Sequence, residues 1–304
     1  MSEIVIDECI DSIQIKIARD GLIEVRNLSL EEEINKTDEN SDFETFTKIW
    51  SDYIRLANVV YLMLDIAIVK SQKMAYFDFQ KITRKDAFRT CYKDGKWDNS
   101  DVPQQSLAGH YLMGRYEFNY LKQIPMSMDS RLSRRHVITE EPLKLAIEFL
   151  KKVILDTEMC DKLNTLSNAL SEYKIGNLKN SVVLSWFVIE RILNDKYSLY
   201  LESRNTSEGE VKRINSKRID ILTGRDFTAS IISQILELNN IITLEELKTI
   251  DKIRGFRNDV AHHLQKKQIT STNCGDTLQF TAKFLLEGVI EKPELNLSLS
   301  FTGF

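Results

Sequence analysis

The side chains best suited to chemistry lie together in one short segment, "RGFRNDVAHH", residues 254–263. It holds two arginines and two of the four histidines in the chain. An arginine fork binds phosphate oxygens and stabilises the negative charge that develops in a transition state. A histidine exchanges a proton near neutral pH. These groups suit phosphodiester chemistry on RNA, which carries its own nucleophile, the 2′-OH, and so needs no metal ion.

Arg257, Asn258 and His262 are the candidate catalytic residues within this segment. Asn258 and His262 are four residues apart, so they face the same side of a helix. Arg257 and His262 are separated by about 140° around an ideal helix, so they can flank a cleft but do not readily touch. Arg254, one turn before Arg257, is expected at the edge of that cleft, in contact with phosphate.

The helix that positions these residues begins at Thr243 and reads "TLEELKTIDKI" before the arginines. Its apolar stripe is predicted to consist of Leu244, Leu247, Ile250 and Ile253. Continuing the stripe by threes and fours brings in Arg254 or Arg257. An arginine is costly to bury unless it is paired or faces water. The end of the helix is therefore predicted to meet a carboxylate of a neighbouring helix, a cleft or a second subunit.

The alternative reading is that this segment has no catalytic or binding role and only ends the helix. Cations and histidines are favoured at helix C-termini because they complement the helix dipole. This reading accounts for His262, His263, Lys266 and Lys267. It does not explain Arg257 and Asn258.

Composition favours a mainly helical globular protein. The 304 residues are 42% hydrophobic and 28% charged, which allows a proper core, and only 4 prolines and 11 glycines are present. The net charge of -4 argues against a surface built throughout for nucleic acid, but it leaves room for one basic cleft.

The sequence predicts a cytoplasmic protein without a metal or another cofactor. Its four cysteines are far apart, which fits reduced thiols in a cytosol better than a zinc site or a disulfide framework. The N-terminus lacks the basic start and apolar run of a signal peptide. The most apolar stretch, 56–69, is interrupted by Asp65 and is too short to cross a bilayer.

Residues 1–138 are predicted to form an α+β domain of unknown role. A hairpin is predicted over 12–27, because Asp20-Gly21 separates two runs of alternating residues. A long helix is predicted over 43–72, and a loop over 91–106.

Residues 139–292 are predicted to form an up-and-down helical bundle, followed by a C-terminal tail at 293–304. Thr139 is a plausible N-cap for its first helix, and 175–177 is a plausible end for its second. No strand pattern interrupts the bundle, so the predicted fold class is mainly α with an N-terminal α+β domain.

The motif "RNDVAH", residues 257–262, resembles the Arg-polar-x3-His motif of the HEPN superfamily, helical-bundle proteins of which many are metal-independent ribonucleases. The setting is similar too. The motif lies on the penultimate predicted helix, and an apolar helix that contains one acidic residue, "VVLSWFVIERIL" (182–193), precedes it. The resemblance covers about half of the chain, and residues 1–138 resemble no family that we can name.

The resemblance implies a homodimer in which two motifs face each other across a cleft and cut RNA, leaving a 2′,3′-cyclic phosphate or a related end. Arg257 and His262 would be catalytic, with Asn258 as the polar residue beside the arginine. Many HEPN proteins are toxins or antiviral-defence effectors. Residues 1–138 would then select the target or bind a regulatory protein or antitoxin.

Glu190, in the apolar helix, is the candidate to support Arg257 through a charge-assisted hydrogen bond. The alternative is a solvent-facing glutamate that pairs with Arg191 or Lys196.

Further contacts with RNA phosphates are predicted for a set of cations outside the catalytic group. A solvated loop is the alternative for 212–218, and the basic run 130–136 has the same two readings. The aromatic residues at 76–79 and the isolated His110 and His136 are read as structural. The predicted RNA-binding residues are Arg254, Lys212, Arg213, Lys217, Arg218, Lys266 and Lys267.

Two other functions remain open from the sequence. The first is a non-catalytic HEPN-like module that dimerises or binds RNA or a nucleotide. The second is a plain interaction protein in which "RNDVAHH" does no more than end a helix.

Overall fold

The computed structural model describes residues 3–19, 21–31, 43–72, 79–87, 89–93, 96–101, 138–208, 211–262 and 269–298. The strands are β1 (Ile4–Ile10), β2 (Ile13–Ala18), β3 (Ile23–Asn27), β4 (Arg89–Lys93), β5 (Lys96–Asp101), β6 (Ser207–Glu208) and β7 (Val211–Lys212). The helices are α1 (Phe43–Gln72), α2 (Glu140–Val153), α3 (Thr157–Lys174), α4 (Leu178–Arg204), α5 (Ser216–Leu222), α6 (Ala229–Leu238), α7 (Leu244–Ala261) and α8 (Ser271–Leu285). The predicted fold class is confirmed: the chain is mainly helical, with a small antiparallel sheet near its N-terminus.

Contacts divide the chain into two compact units, residues 1–167 with 298–304 and residues 168–297. The predicted border between domains lay at 138/139. Helix α2 falls in the first unit because it packs along α1 and also contacts β1. Whether the chain has independently folding domains at the predicted borders stays a prediction.

The first unit is built on a three-stranded meander in the order β1-β2-β3. The predicted hairpin is β2 and β3, in which Ile15 pairs with Val25. The sequence analysis missed β1, which pairs with β2 over its whole length. Alternate residues Ile13, Ile15 and Ile17 of β2 are buried, as expected for a sheet with one face on the core.

The other face of this sheet carries a row of three charged residues, two of which are buried. Asp7, Lys16 and Glu24 lie opposite one another across the three strands. Lys16 is 7% exposed and Glu24 is 5% exposed. Neither carboxylate oxygen of Glu24 has a hydrogen-bond partner among the described residues. Burial raises the pKa of Glu24, and the positive charge of Lys16 opposes this effect.

We expect Glu24→Gln to stabilise the protein by about 1 kcal/mol at neutral pH, because it removes a buried carboxylate that lacks hydrogen bonds. A raised pKa means that the folded state binds the proton more tightly. The stability from protonated Glu24 is therefore present below the unfolded pKa and is lost as the pH rises through the folded pKa. Urea unfolding at about pH 7 and about pH 4 should show a gain that shrinks in acid. The exposed Glu294→Gln is the control, and an equal gain at both pH values would contradict the expectation.

Helix α1 is confirmed over its predicted range and carries most of the core of the first unit. Residues 56–68 are buried on nearly all sides. The segment 79–87 lies along this helix without being a strand. The Asn58 amide bonds both the N–H of Ile82, at 2.7 Å, and its carbonyl, at 3.0 Å. Phe79 stacks on Tyr61 with 4.9 Å between ring centroids.

The loop predicted for 91–106 is wrong in its first part. Strands β4 and β5 pair there as an antiparallel hairpin, with Tyr92 opposite Trp97. The Asp94-Gly95 pair between the strands is a hairpin signal of the same kind as Asp20-Gly21.

The second unit is built around α4, which contacts α6, α7 and α8. The predicted end of α3 is confirmed. Gly176 takes a φ of 81°, and the N–H of Asn177 bonds the carbonyl of Glu172 at 2.8 Å, which closes the helix. Fully or nearly fully buried residues of α4 include Val182, Trp186, Val188, Ile189 and Leu193.

Residues that follow α8 belong to this unit up to 297. The Gln279 amide bonds the Pro293 carbonyl at 2.7 Å and the Leu295 N–H at 3.1 Å. The Tyr173 hydroxyl bonds the Leu297 carbonyl at 3.2 Å. No helix in the described part of the chain combines the length and the apolar character needed to cross a membrane.

Candidate functional site

The candidate site is the C-terminal half of α7. The helix starts where the sequence predicts, at a capping box. The Thr243 hydroxyl accepts from the N–H of Glu246 at 3.1 Å, and the Glu246 carboxylate accepts from the N–H of Thr243 at 2.6 Å. Helix α7 then packs against α4 and α6. These contacts fix where its C-terminal residues point.

The buried stripe of α7 differs from the predicted one at both ends. Leu244 is 54% exposed, and the buried residues are Leu247, Ile250, Ile253 and Phe256. These buried residues are three apart, and each step of three residues falls about 60° short of a full turn. The buried stripe therefore winds around the helix. Arg254 and Arg257 therefore flank the stripe, and both are half-buried. The prediction that the stripe continues into Arg254 or Arg257 is wrong, because Phe256 continues it.

Arg257 is oriented by its neighbour in the chain. Its Nη1 donates a hydrogen bond to Oδ1 of Asn258 at 3.1 Å. The two side chains are half-buried and make no other hydrogen bond with described residues. A guanidinium has five N–H donors, so the rest of this fork remains available to an oxyanion.

His262 is the residue at which α7 ends. Its backbone N–H bonds the carbonyl of Asn258 at 2.9 Å, which closes the last turn. Its side chain is exposed and makes no hydrogen bond with described residues. The imidazole is thus accessible to a ligand, one turn beyond the Arg257–Asn258 pair.

Arg254 is held by a carboxylate of its own helix. Its Nη2 lies 3.1 Å from Oδ1 of Asp251, and the two side chains are 31% and 38% exposed. The two side chains are partly open to solvent, so the pair contributes little to stability. Oδ1 of Asp251 is itself buried and has no hydrogen-bond partner among the described residues.

Glu190 does not bond Arg257 in the single chain. It is half-buried on α4 and makes no hydrogen bond or ion pair with described residues. Arg191 and Lys196, the alternative partners predicted for Glu190, do not pair with it either. Lys196 bonds Glu287 at 2.8 Å, and Arg191 is exposed.

The predicted basic loop is partly a helix, and its described cations are exposed. Arg213 precedes α5, while Lys217 and Arg218 lie on it. Asn215 caps α5 by accepting from the N–H of Arg218 at 2.9 Å. Exposure permits contact with phosphate but does not distinguish it from a solvated surface.

Other predicted residues are not placed by the structure. For Lys212 the backbone alone is described, in β7. Outside the described residues lie His263, Lys266, Lys267, His110, His136 and the run 130–136. Of the aromatic cluster 76–79, Phe79 alone is described, and its burial agrees with a structural role.

Gly255 is a residue of this site that the sequence analysis did not single out. It lies exposed in the interior of α7, between Arg254 and Phe256. Glycine in a helix interior is about 0.5–1 kcal/mol less favourable than alanine. The signal was present in the sequence, since a lone glycine stands inside a helical pattern of better helix formers.

The part of the chain that the structure describes contains no group of three or more His, Cys, Asp or Glu residues that could hold a metal ion. The buried thiols of Cys160 and Cys274 are not poised as nucleophiles, because burial raises the pKa of each to about 11.

Comparisons of the chain with models of protein families, with curated proteins and with solved structures give no match.

Proposed function

We propose that this protein is a metal-independent endoribonuclease of HEPN type, in which Arg257 and His262 act on RNA with Asn258 as a positioning residue. The observation that carries the proposal is the Arg257–Asn258 hydrogen bond of 3.1 Å beside an exposed His262 at the same helix end. It supports the proposal because it presents an oriented cation and a proton-exchanging group together, on a surface open to a ligand.

The proposed reaction is an attack of the RNA 2′-oxygen on the adjacent phosphorus. The P–O5′ bond breaks, and the products are a 2′,3′-cyclic phosphate and a 5′-OH. Arg257 binds the phosphate oxygens, whose charge grows in the transition state. One group must remove the 2′-proton and another must protonate the leaving oxygen. A single α7 offers one described histidine, His262, so a homodimer would supply both groups.

The biological setting is proposed on the family resemblance. The enzyme would work in the cytoplasm as a toxin or an antiviral-defence effector. Residues 1–138 would select its target or bind a regulatory protein or antitoxin.

We expect His262→Ala to reduce RNA cleavage by about 100-fold or more, since it removes the acid–base group. Purified wild type and variant would be incubated with labelled single-stranded RNA in a buffer containing a metal chelator, and the product ends would be analysed. His263→Ala is the matched control, because His263 is adjacent in the sequence and has no position in the Arg-polar-x3-His motif. Production of the wild type should also poison an expression host, and production of His262→Ala should not.

Each failure has a distinct meaning. A clean His262→Ala preparation that cuts RNA at the wild-type rate would refute the proposed mechanism. A wild type that binds RNA but leaves it intact would be the binding module. A wild type that does neither would be an interaction protein.

A further inference from the structure

The fold gives no reason for the glycine at position 255. The described glycines with positive φ are Gly21, Gly176 and Gly288, so Gly255 does not serve a left-handed conformation. A Cβ built on it meets no atom within 4 Å, so no neighbour among the described residues requires the side chain to be absent. The described residues therefore give no reason for a residue that weakens a helix interior.

Close approach of another molecule to the helix backbone is such a reason, and the surrounding residues indicate its chemistry. On an ideal helix Asp251, Gly255, Asn258 and His262 fall within about 60° of one another and form a row along α7. Arg254 flanks this row. The row contains no apolar side chain, so the packed helix of a second copy would gain little there. A polar ligand suits it better.

The charge of this part of α7 favours a ligand that is negative. Residues 251–262 contain three cations, Lys252, Arg254 and Arg257, and two carboxylates, Asp251 and Asp259, whereas the whole chain has a net charge of -4. Of the cations, Lys252 lies over the ring of Phe256 at 5.8 Å, and Arg254 is held by Asp251. One nitrogen of Arg254 approaches Asp251, so a phosphate can bind the other donors of the guanidinium beside that pair.

We infer that the sugar–phosphate backbone of RNA crosses α7 at Gly255, with a phosphate on Arg254 and the helix backbone in contact with the strand. This inference rests on the proposed function for the identity of the ligand. Gly255 acts in it by leaving room, so that the strand reaches Asn258 and His262. Any side chain at this position would hold the strand away from those groups.

The test uses Gly255→Ala and Gly255→Leu, with Ser198→Ala, an exposed position on α4, as the control for helix stabilisation. Gly255→Ala should raise the melting temperature by about 2 °C, because nothing obstructs the new methyl group. It should nevertheless raise the KM for single-stranded RNA about tenfold, since one extra methyl group overfills the contact. Gly255→Leu should raise the KM further, and Ser198→Ala should leave it unchanged.

Binding is measured separately from cleavage, so that the two proposals fail in different ways. Anisotropy of a fluorescein-labelled oligoribonucleotide of random sequence would be followed with His262→Ala and with His262→Ala/Gly255→Ala. If the wild type cuts RNA and Gly255→Ala leaves both KM and binding unchanged, the inference is overturned and the proposed function stands. If the wild type does not cut RNA but Gly255→Ala weakens RNA binding, the inference holds and the proposed function fails. If Gly255→Ala changes the oligomeric mass in light scattering and not the RNA affinity, a second copy occupies the row and the inference is overturned.

Discussion

Replacing Arg257 by alanine is expected to lower the rate of RNA cleavage by about 100-fold or more, because it removes a donor aimed at the charge of the transition state. The fold should tolerate the change. Arg257 flanks the buried stripe of α7, and its one hydrogen bond to a described residue is with the adjacent Asn258. Losing such a bond costs about 1 kcal/mol, so the variant should unfold close to the wild-type denaturant midpoint.

Arg257→Lys separates charge from geometry at the same position. Lysine keeps the positive charge but is a point charge, and it lacks the planar fork that binds two phosphate oxygens at once. Most of the activity should therefore remain lost. Arg225→Ala, which removes an exposed arginine outside the site, is the matched control and should cut normally. If circular dichroism shows that Arg257→Ala is folded and the variant cuts RNA at the wild-type rate, Arg257 has no part in the mechanism.

Local signals explain why parts of this fold were predictable from the sequence. The start of α7 follows from Thr243 and Glu246, and the end of α3 from Gly176, because these structures are closed by bonds between residues close in the chain. The hairpin of β2 and β3 has the same local origin. Strand β1 was missed because "IVIDECI" does not alternate apolar and polar residues, so its pairing with β2 is what identifies it as a strand.

The candidate site was predictable in its residue types and less so in its geometry. The motif identified Arg257, Asn258 and His262, but whether an arginine enters or flanks a stripe depends on how α7 is rotated against α4 and α6. The predicted Glu190–Arg257 bond depends on the same rotation, and it is absent from the single chain. Such rotations are set by side-chain packing between helices, which a helical period does not encode.

Leu247→Ala is expected to destabilise the protein by about 2–5 kcal/mol, because it leaves a cavity where α7 packs on its neighbours. Leu247 is 6% exposed, whereas Leu244, one turn earlier on the same helix, is 54% exposed. Leu244→Ala should therefore change the free energy of unfolding by no more than about 0.5 kcal/mol. The two variants remove the same atoms from the same helix, so their difference in urea unfolding measures the direction of the buried stripe.

This pair of variants also tests the geometry on which the site depends. A stripe that starts at Leu247 and passes through Ile253 to Phe256 leaves Arg257 and Asn258 on its flank, free to face a ligand. If the buried stripe started at Leu244, helix α7 would be rotated about its axis, and the arginines would turn toward the core. Equal losses for Leu244→Ala and Leu247→Ala would mean that Leu244 is covered in the working protein. Unfolding over a range of protein concentrations would then decide the cause, since burial by a second copy depends on concentration and burial within the chain does not.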